Sequence, residues 1–327
     1  RISWDEALNL AVEWLKPLRK KAPEKLAFFT GRDQSQSFTS YFAQMFGTPN
    51  YAAHGGFCSV NMATAGIYTM GGAFWEFGQP DWDYTKLFIL FGVAEDHDSN
   101  PIKMGIGKIK ERGAKIVGVN PIRTGYNAVA DEWLGITPGT DGLLILSLIN
   151  ILIKAGKIDL DYLAKYTNAP VFLDPENGLI LKDKNDKPLV KDRITRKVCA
   201  FDTKGIQPDL NATYRVRGAT STTVFHKIIT KYLSSEYEPE KVEKICGISA
   251  KKIRARANEI AKVAFEEEFE LPIEWTDFRG EKHKSMKGRP VSFHSMRGVS
   301  AHSNGFQTCR ALHMLQILLG TVEVPGG

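Results

Sequence analysis

The chain has 327 residues, 43% hydrophobic and 24% charged, with 43 Lys plus Arg against 37 Asp plus Glu and a formal net charge of +6. That length accommodates two domains or one large interrupted one. No basic block or basic–aromatic array argues for nucleic acid, so the small positive excess fits anionic ligands or an ordinary solvated surface. The four cysteines, Cys58, Cys199, Cys246 and Cys309, are dispersed and make no Cys-x-x-Cys pair. They argue against a zinc ribbon, an iron–sulfur cluster held by this segment alone and a disulfide scaffold, and favour a reducing compartment. No apolar run reaches the ~18 residues of a membrane span, and no signal peptide is evident. The chain opens at Arg1-Ile2-Ser3-Trp4 without Met and stops on Val324-Pro325-Gly326-Gly327, which reads as an internal piece of a longer polypeptide.

Ser3 or Asp5 caps a first predicted helix reaching about Leu18, with Pro23 beyond it. A short strand is predicted over 26–30, then a polar turn at 31–34 and a helix to about Phe46. Residues 87–93 are apolar apart from Gly92 and predict a buried strand that ends in the polar loop 94–101. A helix to about Arg112 follows, ended by Gly113, and then a strand over 115–119 that runs into Asn120-Pro121-Ile122-Arg123-Thr124. Strand, polar loop, helix, strand is the rhythm of a doubly wound parallel sheet, where ligands bind beyond the carboxyl ends of the strands. Gly105-x-Gly107 falls inside the predicted helix without a third glycine and is discounted as a nicotinamide site. The turn Pro138-Gly139-Thr140-Asp141-Gly142 leads into an apolar helix over 143–154, whose start either holds phosphate or is capped by Asp141. Residues 168–220 read as irregular, with a hairpin over 178–190. Helices are predicted at 222–234 and 249–265, a strand at 291–295, and a last helix opened by His302-Ser303-Asn304-Gly305 and running to Leu319.

Cys58 stands in His54-Gly55-Gly56-Phe57-Cys58-Ser59-Val60-Asn61, after a Gly-Gly turn that allows close backbone approach and ahead of a predicted helix start that favours thiolate. Three readings remain open from these residues. It is a nucleophile with His54 or His97 as base, a metal thiolate whose other ligands come from a cofactor, or a small buried hydrophobe. The loops 31–34, 94–101, 120–124, 138–141 and 297–305 carry Arg, Asp, Asn and Thr, which suit phosphate oxygens and purine edges. Five such loops in one α/β chain point to a large nucleotide-like ligand, against the alternative of solvated turns.

A family resemblance is carried by Arg1-Ile2-Ser3-Trp4-Asp5-Glu6-Ala7, Cys58 in its Gly-Gly context, Val119-Asn120-Pro121-Ile122-Arg123-Thr124 and Ala130-Asp131-Glu132-Trp133. It continues in Pro138-Gly139-Thr140-Asp141, Asn304-Gly305, Leu319-Gly320 and Pro325-Gly326-Gly327. In order and spacing these resemble the catalytic subunits of molybdopterin oxidoreductases of the dimethyl sulfoxide reductase family, over nearly the whole chain. Residues 54–62, 74–77, 92–101 and 297–305 look most like the cytoplasmic sulfite-oxidising members. Polysulfide, thiosulfate and tetrathionate reductases are near relatives of these.

The resemblance implies an α/β fold of two doubly wound three-layer domains, the second inserted into the first. Residues 1–55 and 256–327 would form the discontinuous domain, and 56–255 an inserted Rossmann-like domain binding guanosine, with Cys58 at the junction. It implies a bis(molybdopterin guanine dinucleotide) molybdenum cofactor with Cys58 as the protein's ligand to the metal. Asn120, Pro121, Arg123 and Thr124 would hold one guanosine with help from Thr140 and Asp141. Gly31, Arg32 and Glu95 would lie along other parts of the cofactor, and Asn304 near the pterin or the substrate cavity. His54, His302 and Arg297 would be the positive neighbours of a sulfur oxyanion. The implied reaction is two-electron oxo transfer, sulfite to sulfate, with electrons leaving through iron–sulfur clusters. The partners would be an iron–sulfur electron-transfer subunit plus a membrane anchor subunit, at the cytoplasmic face of a membrane. A [4Fe–4S] segment and a closing domain would lie outside these residues, so this segment alone is expected without cofactor and inactive. A non-redox hydratase or a non-catalytic scaffold remains the alternative.

Overall fold

Ser3 starts the first helix for a local reason. Its hydroxyl accepts the Glu6 N–H at 3.2 Å while the Glu6 carboxylate takes the Ser3 N–H at 2.7 Å, a reciprocal cap that satisfies two otherwise orphaned donors. The computed structural model describes residues 1–31, 36–58, 60–72, 80–93, 101–295 and 297–327, without the side chains of 36, 57 and 101. Helix α1 (Trp4–Lys21) continues through Pro17, past the predicted end, and carries Arg19, Lys20 and Lys21 in its last turn, where the helix dipole favours cations. Strand β1 (Phe28–Thr30), helix α2 (Gln36–Phe46) and strand β2 (Tyr51–Ala53) form a strand–helix–strand unit with the two strands parallel, Phe28 opposite Tyr51 and Thr30 opposite Ala53. The short helix α3 (Gly55–Cys58) follows. These elements make up a first unit, residues 1–60.

The second unit, residues 61–327, begins within helix α4 (Val60–Met70). It continues with β3 (Leu87–Phe91), α5 (Pro101–Glu111), β4 (Lys115–Val119), α6 (Tyr126–Val129), β5 (Glu132–Leu134) and α7 (Asp141–Lys154). All five residues of β3 are apolar and buried, and such a strand is stable only with both faces covered and both edges paired. Strand β4 pairs with one edge, and the distant strand Val291–Ser295 pairs with the other. With β5 outside β4, the four strands form one parallel sheet in the order Val291–Ser295, β3, β4, β5.

Alternation along the strands divides the core in two. Leu87, Ile89, Phe91, Val117, Val119 and Phe293 face the helices α7, Ala250–Phe265 and Gly305–Leu319. Phe88, Leu90 and Ile116 face α5, through Ile102, Ile106 and Ile109, and α6 through Tyr126. The result is a three-layer α/β arrangement, as the sequence predicts. A Cβ at Gly105 would lie 2.5 Å from the Trp82 ring, so that glycine serves helix packing rather than a nucleotide.

The observed boundaries differ from the sequence reading in three places. Residues 256–327 do not stand apart from the inserted stretch in their pairing, because Val291–Ser295 matches β3 residue for residue and the helix Ala250–Phe265 runs through the expected boundary at 255. The reason is the second edge of β3, which is apolar and must be paired. The stretch 168–220 is not wholly irregular. It holds the antiparallel pairs Leu189–Lys191 with Val198–Ala200 and Thr213–Val216 with Ala219–Thr222, and the expected hairpin turn has Asp186 at φ 64°. Asp141 is not the cap of α7; Thr140 occupies that position without a side-chain cap bond.

Beneath the amino ends of the strands, Arg289 is 5% exposed. Its guanidinium bonds Asp159, donates to the Ala264 carbonyl and to Glu268 at 2.8 Å each, and lies 4.4 Å over the Phe265 ring. Asp159 also caps the helix Leu160–Tyr166 through the Tyr162 N–H. Arg289→Met leaves Asp159 nearly buried without its partner and is expected to lower unfolding free energy by about 3–5 kcal/mol, read by urea denaturation.

His294, on the strand next to β3, is 1% exposed, and among the described residues neither ring nitrogen has a hydrogen-bond partner. Burial pushes its pKa down from 6.5 to about 4. As pH falls from 6.5 towards 4 the unfolded chain takes up a proton that the folded chain refuses, so stability is lost across that window. His294→Leu is expected to flatten this acid limb by up to about 3 kcal/mol, measured by denaturant titrations at pH 7 and pH 4.

Candidate functional site

Because the four strands are parallel and in register, Ser295, Phe91, Val119 and Leu134 form one row, and the loops that follow them leave the same edge. From β3 the chain moves to β4 on one side, while Val291–Ser295 closes the other side. The direction of winding therefore reverses between Val291–Ser295 and β3, the crevice where open α/β sheets bind ligands. The backbones crowd together there. Gly92 has φ 64°, and a Cβ on it would lie 2.9 Å from Val299 Cγ1. A Cβ on Gly298 would lie 2.7 Å from the Gly92 carbonyl oxygen.

Asn120 ends β4 at this edge and is 6% exposed. Its N–H donates to the Leu134 carbonyl at 3.2 Å, and its own carbonyl accepts the Trp133 indole N–H at 2.9 Å. The backbone is therefore held from both sides, yet among the described residues the buried side-chain Nδ2 has no hydrogen-bond partner. A buried amide donor left unpaired costs about 1–3 kcal/mol, and such groups in folded chains need an explanation, of which a ligand acceptor is one. Pro121, Arg123 and Thr124 follow in the same loop and are exposed.

The loops 138–141 and 297–305 meet. Asn304 Nδ2 donates to the Gly139 carbonyl at 3.0 Å, and Gly139, at φ 79°, lies under the His302 ring, whose Nδ1 would be 3.4 Å from a Cβ there. Gly142 lies against Thr308, so the amino ends of α7 and of the helix Gly305–Leu319 converge. Asp141 is buried at this convergence. Burial pushes its carboxyl pKa up, opposed by a backbone hydrogen bond and by the charge of His302. Thr140 turns its hydroxyl back to the Thr137 carbonyl at 2.7 Å. Arg297 is half-buried, and its carbonyl takes the Ala301 N–H and the Ser300 hydroxyl. Asn61 of α4 donates to the Ser300 carbonyl at 2.8 Å and steadies the same loop. Asn61 does not stand out in the sequence; its signal is one amide at the start of the apolar helix α4.

In the first unit, Gly31 and His54 follow the register-paired residues Thr30 and Ala53, so they leave the same edge of the two-stranded sheet. The Cys58 N–H donates to the His54 carbonyl at 3.0 Å, one helical turn back, and the Cys58 side chain is half-buried. Cys58 thus closes α3 rather than lying directly on the start of α4, and it is not the buried hydrophobe of the plainest reading. Among the described residues its thiol makes no hydrogen bond to His54, which leaves the nucleophile reading with His54 as base without its contact. Arg32, Glu95, His97 and the segment 74–77 lie outside the described residues.

The sequence profile of the molybdopterin oxidoreductase family matches residues 1–327. The chain is 48% identical over 341 aligned residues to a sulfite dehydrogenase subunit of Allochromatium vinosum, covering 100% of this chain and 35% of that protein. It is 25% identical over 354 residues to the alpha subunit of dimethylsulfide dehydrogenase of Rhodovulum sulfidophilum, again covering 100% of this chain and 35% of the relative. The chain therefore spans about a third of the length of these relatives. Among solved structures, acetylene hydratase from Pelobacter acetylenicus superposes with a TM-score of 0.59 at 20% identity, over 100% of this chain and 34% of that one, a likeness of fold. With its parallel α/β sheet and a profile match along its whole length, this chain belongs to the molybdopterin oxidoreductases.

Proposed function

We propose that the chain is part of the catalytic subunit of a sulfite-oxidising enzyme that binds molybdenum through bis(molybdopterin guanine dinucleotide). The observation that carries the cofactor reading is the buried Nδ2 of Asn120, unpaired among the described residues at the carboxyl end of β4, one strand away from the winding reversal, a donor suited to a purine or phosphate acceptor. The glycines Gly92, Gly298 and Gly139 let the loops at this rim pack closely on one another, which brings together the loops assigned to the cofactor. A single half-buried thiol, Cys58, supports it from the other direction, because one soft ligand is enough where a dithiolene cofactor brings the rest. The choice of sulfite is supported by the 48% identity to the Allochromatium vinosum sulfite dehydrogenase.

In this reading Asn120, Pro121, Arg123 and Thr124 cradle one guanosine. Thr140 and Asp141 border it at the start of α7, and Gly31 and Asn304 line other parts of the cofactor. Cys58 ligates the metal. When bound, the cofactor supplies the two-electron oxo-transfer chemistry. The protein's part is to hold and orient an anion. Arg297 and His302 present positive or hydrogen-bonding groups to a sulfite oxygen. The buried carboxyl of Asp141 lies in the field of His302, whose ring lies over Gly139. Iron–sulfur clusters, one of them [4Fe–4S], would accept the electrons, and an iron–sulfur partner subunit with a membrane anchor at the cytoplasmic face would carry them on.

The full-length enzyme tests this. It is expected to contain molybdenum and to oxidise sulfite with an artificial electron acceptor. Turnover of thiosulfate, tetrathionate or polysulfide without sulfite would reject the substrate and leave the family intact. Cys58→Ala is expected to reduce sulfite turnover by more than the about 10–100-fold loss that a change behind a metal ligand causes. Wild-type turnover in that variant would remove Cys58 from the metal.

Asn120→Leu separates a ligand role from a structural one. It is expected to lower the guanosine content of the purified enzyme, measured as GMP released by acid. The cofactor-free protein is expected to gain up to about 1–3 kcal/mol of stability, because an unpaired buried donor has gone. A loss of both stability and GMP would count against the assignment.

A further inference from the structure

Asn127 has no part in the sequence reading, yet it is completely buried, at 0% exposure, directly behind the loop assigned to guanosine. Its Nδ2 donates to the Val93 carbonyl at 2.7 Å and reaches the Thr124 carbonyl at 3.4 Å. Val93 begins the loop that follows β3, and Thr124 ends the loop that follows β4. One side-chain amide therefore ties together two neighbouring loops of the carboxyl edge. Its backbone reinforces the second tie, since the Asn127 N–H also donates to the Thr124 carbonyl, at 3.0 Å.

The surroundings are shaped to admit this side chain. Gly118 lies against it in β4, and a Cβ there would stand 2.2 Å from Asn127 Oδ1. Gly125, at φ 53° and ψ −130°, lets the chain turn from Thr124 into α6 so that Asn127 points under the sheet. The arrangement is not optimal for stability, because among the described residues the buried Oδ1 has no partner. A polar group retained in a core with half its bonding capacity unused marks a position where packing alone does not decide the residue.

Resting on the guanosine reading above, we infer that Asn127 is a positioning residue. It sets the spacing between the Val93 and Thr124 backbones and so holds Asn120, Arg123 and Thr124 in place for the nucleoside. It touches no ligand itself.

The test uses the full-length enzyme as wild type and as Asn127→Ala, Asn127→Asp and Ile109→Ala. Asn127→Asp keeps the shape, but even as a protonated, buried acid it has one proton to donate and cannot bond both carbonyls. Ile109 is buried on α5 in the same layer, away from the loops, and serves as the destabilised control. GMP released by acid per polypeptide and molybdenum by mass spectrometry are measured alongside the melting temperature, after loading with limiting cofactor. GMP is expected to fall about tenfold in both Asn127 variants, as for other residues that orient a binding shell. Ile109→Ala is expected to melt earlier and keep its GMP. The inference is overturned if a folded Asn127 variant retains wild-type GMP, if Ile109→Ala loses as much, or if neither Asn127 variant folds. A wild-type enzyme that releases no GMP instead overturns the cofactor reading on which the inference rests.

Discussion

The register of four parallel strands is the constraint on which the second unit depends. Strand β3 is apolar on both faces, so it cannot sit at an edge or face water. Its demand for a second neighbour is met by Val291–Ser295, which lies some 200 positions later in the chain. Once those strands align, Ser295, Phe91, Val119 and Leu134 must end together, and every loop that follows them must share one rim. The crowding of Gly92 against Val299 and of Gly298 against the Gly92 carbonyl follows from that alignment.

The two ends of the sheet treat polar groups differently. At the amino end, Arg289 is saturated by Asp159, Glu268 and the Ala264 carbonyl, and Thr85, Ser292 and the Gly326 carbonyl bond one another. This end is built for stability. At the carboxyl end, Asn120 and Asn127 each leave a buried polar atom unpaired, and Asp141 is held away from water with its pKa raised by burial. These residues are costly to the isolated fold, and such costs are tolerated where a ligand or a functional geometry offsets them. The interplay of Asp141 with His302 belongs to the same end, where two helix starts meet and an acceptor-rich ligand would find positive ends of dipoles.

Much of the α/β core is legible in the chain. Strands β4 and Val291–Ser295 fall where their apolar runs predict, and helices α2 and Ala250–Phe265 end as their patterns and flanking residues indicate. Period and punctuation suffice because these segments are long or wholly buried. Strand β2 and helix α3 give no such sign, because three or four residues carry no period. The short antiparallel pairs within 168–220 are hidden for the same reason. Asp141 reads as a cap because Asp favours helix starts, whereas its burial depends on the approach of the helix Gly305–Leu319. Among the site residues, Asn120, Thr140, Asp141, His302 and Asn304 are marked by loops after strands, and the structure gathers their loops at one rim. Asn61 and Asn127 are invisible in the sequence, since a lone amide in a helix gives no sign of which distant carbonyl it will meet.

By itself the sequence determined the fold class, the polar loops that follow each long strand, and the motifs that point to a molybdopterin enzyme. These depend on local composition, on spacing along the chain and on the order of motifs. Only the tertiary structure decided which strand covers the second edge of β3, which polar atoms are buried without partners, and how loops far apart in the chain come to share carbonyls. Those outcomes depend on contacts between segments distant in sequence, and hydrophobic burial selects such contacts by shape and register, which no single segment encodes.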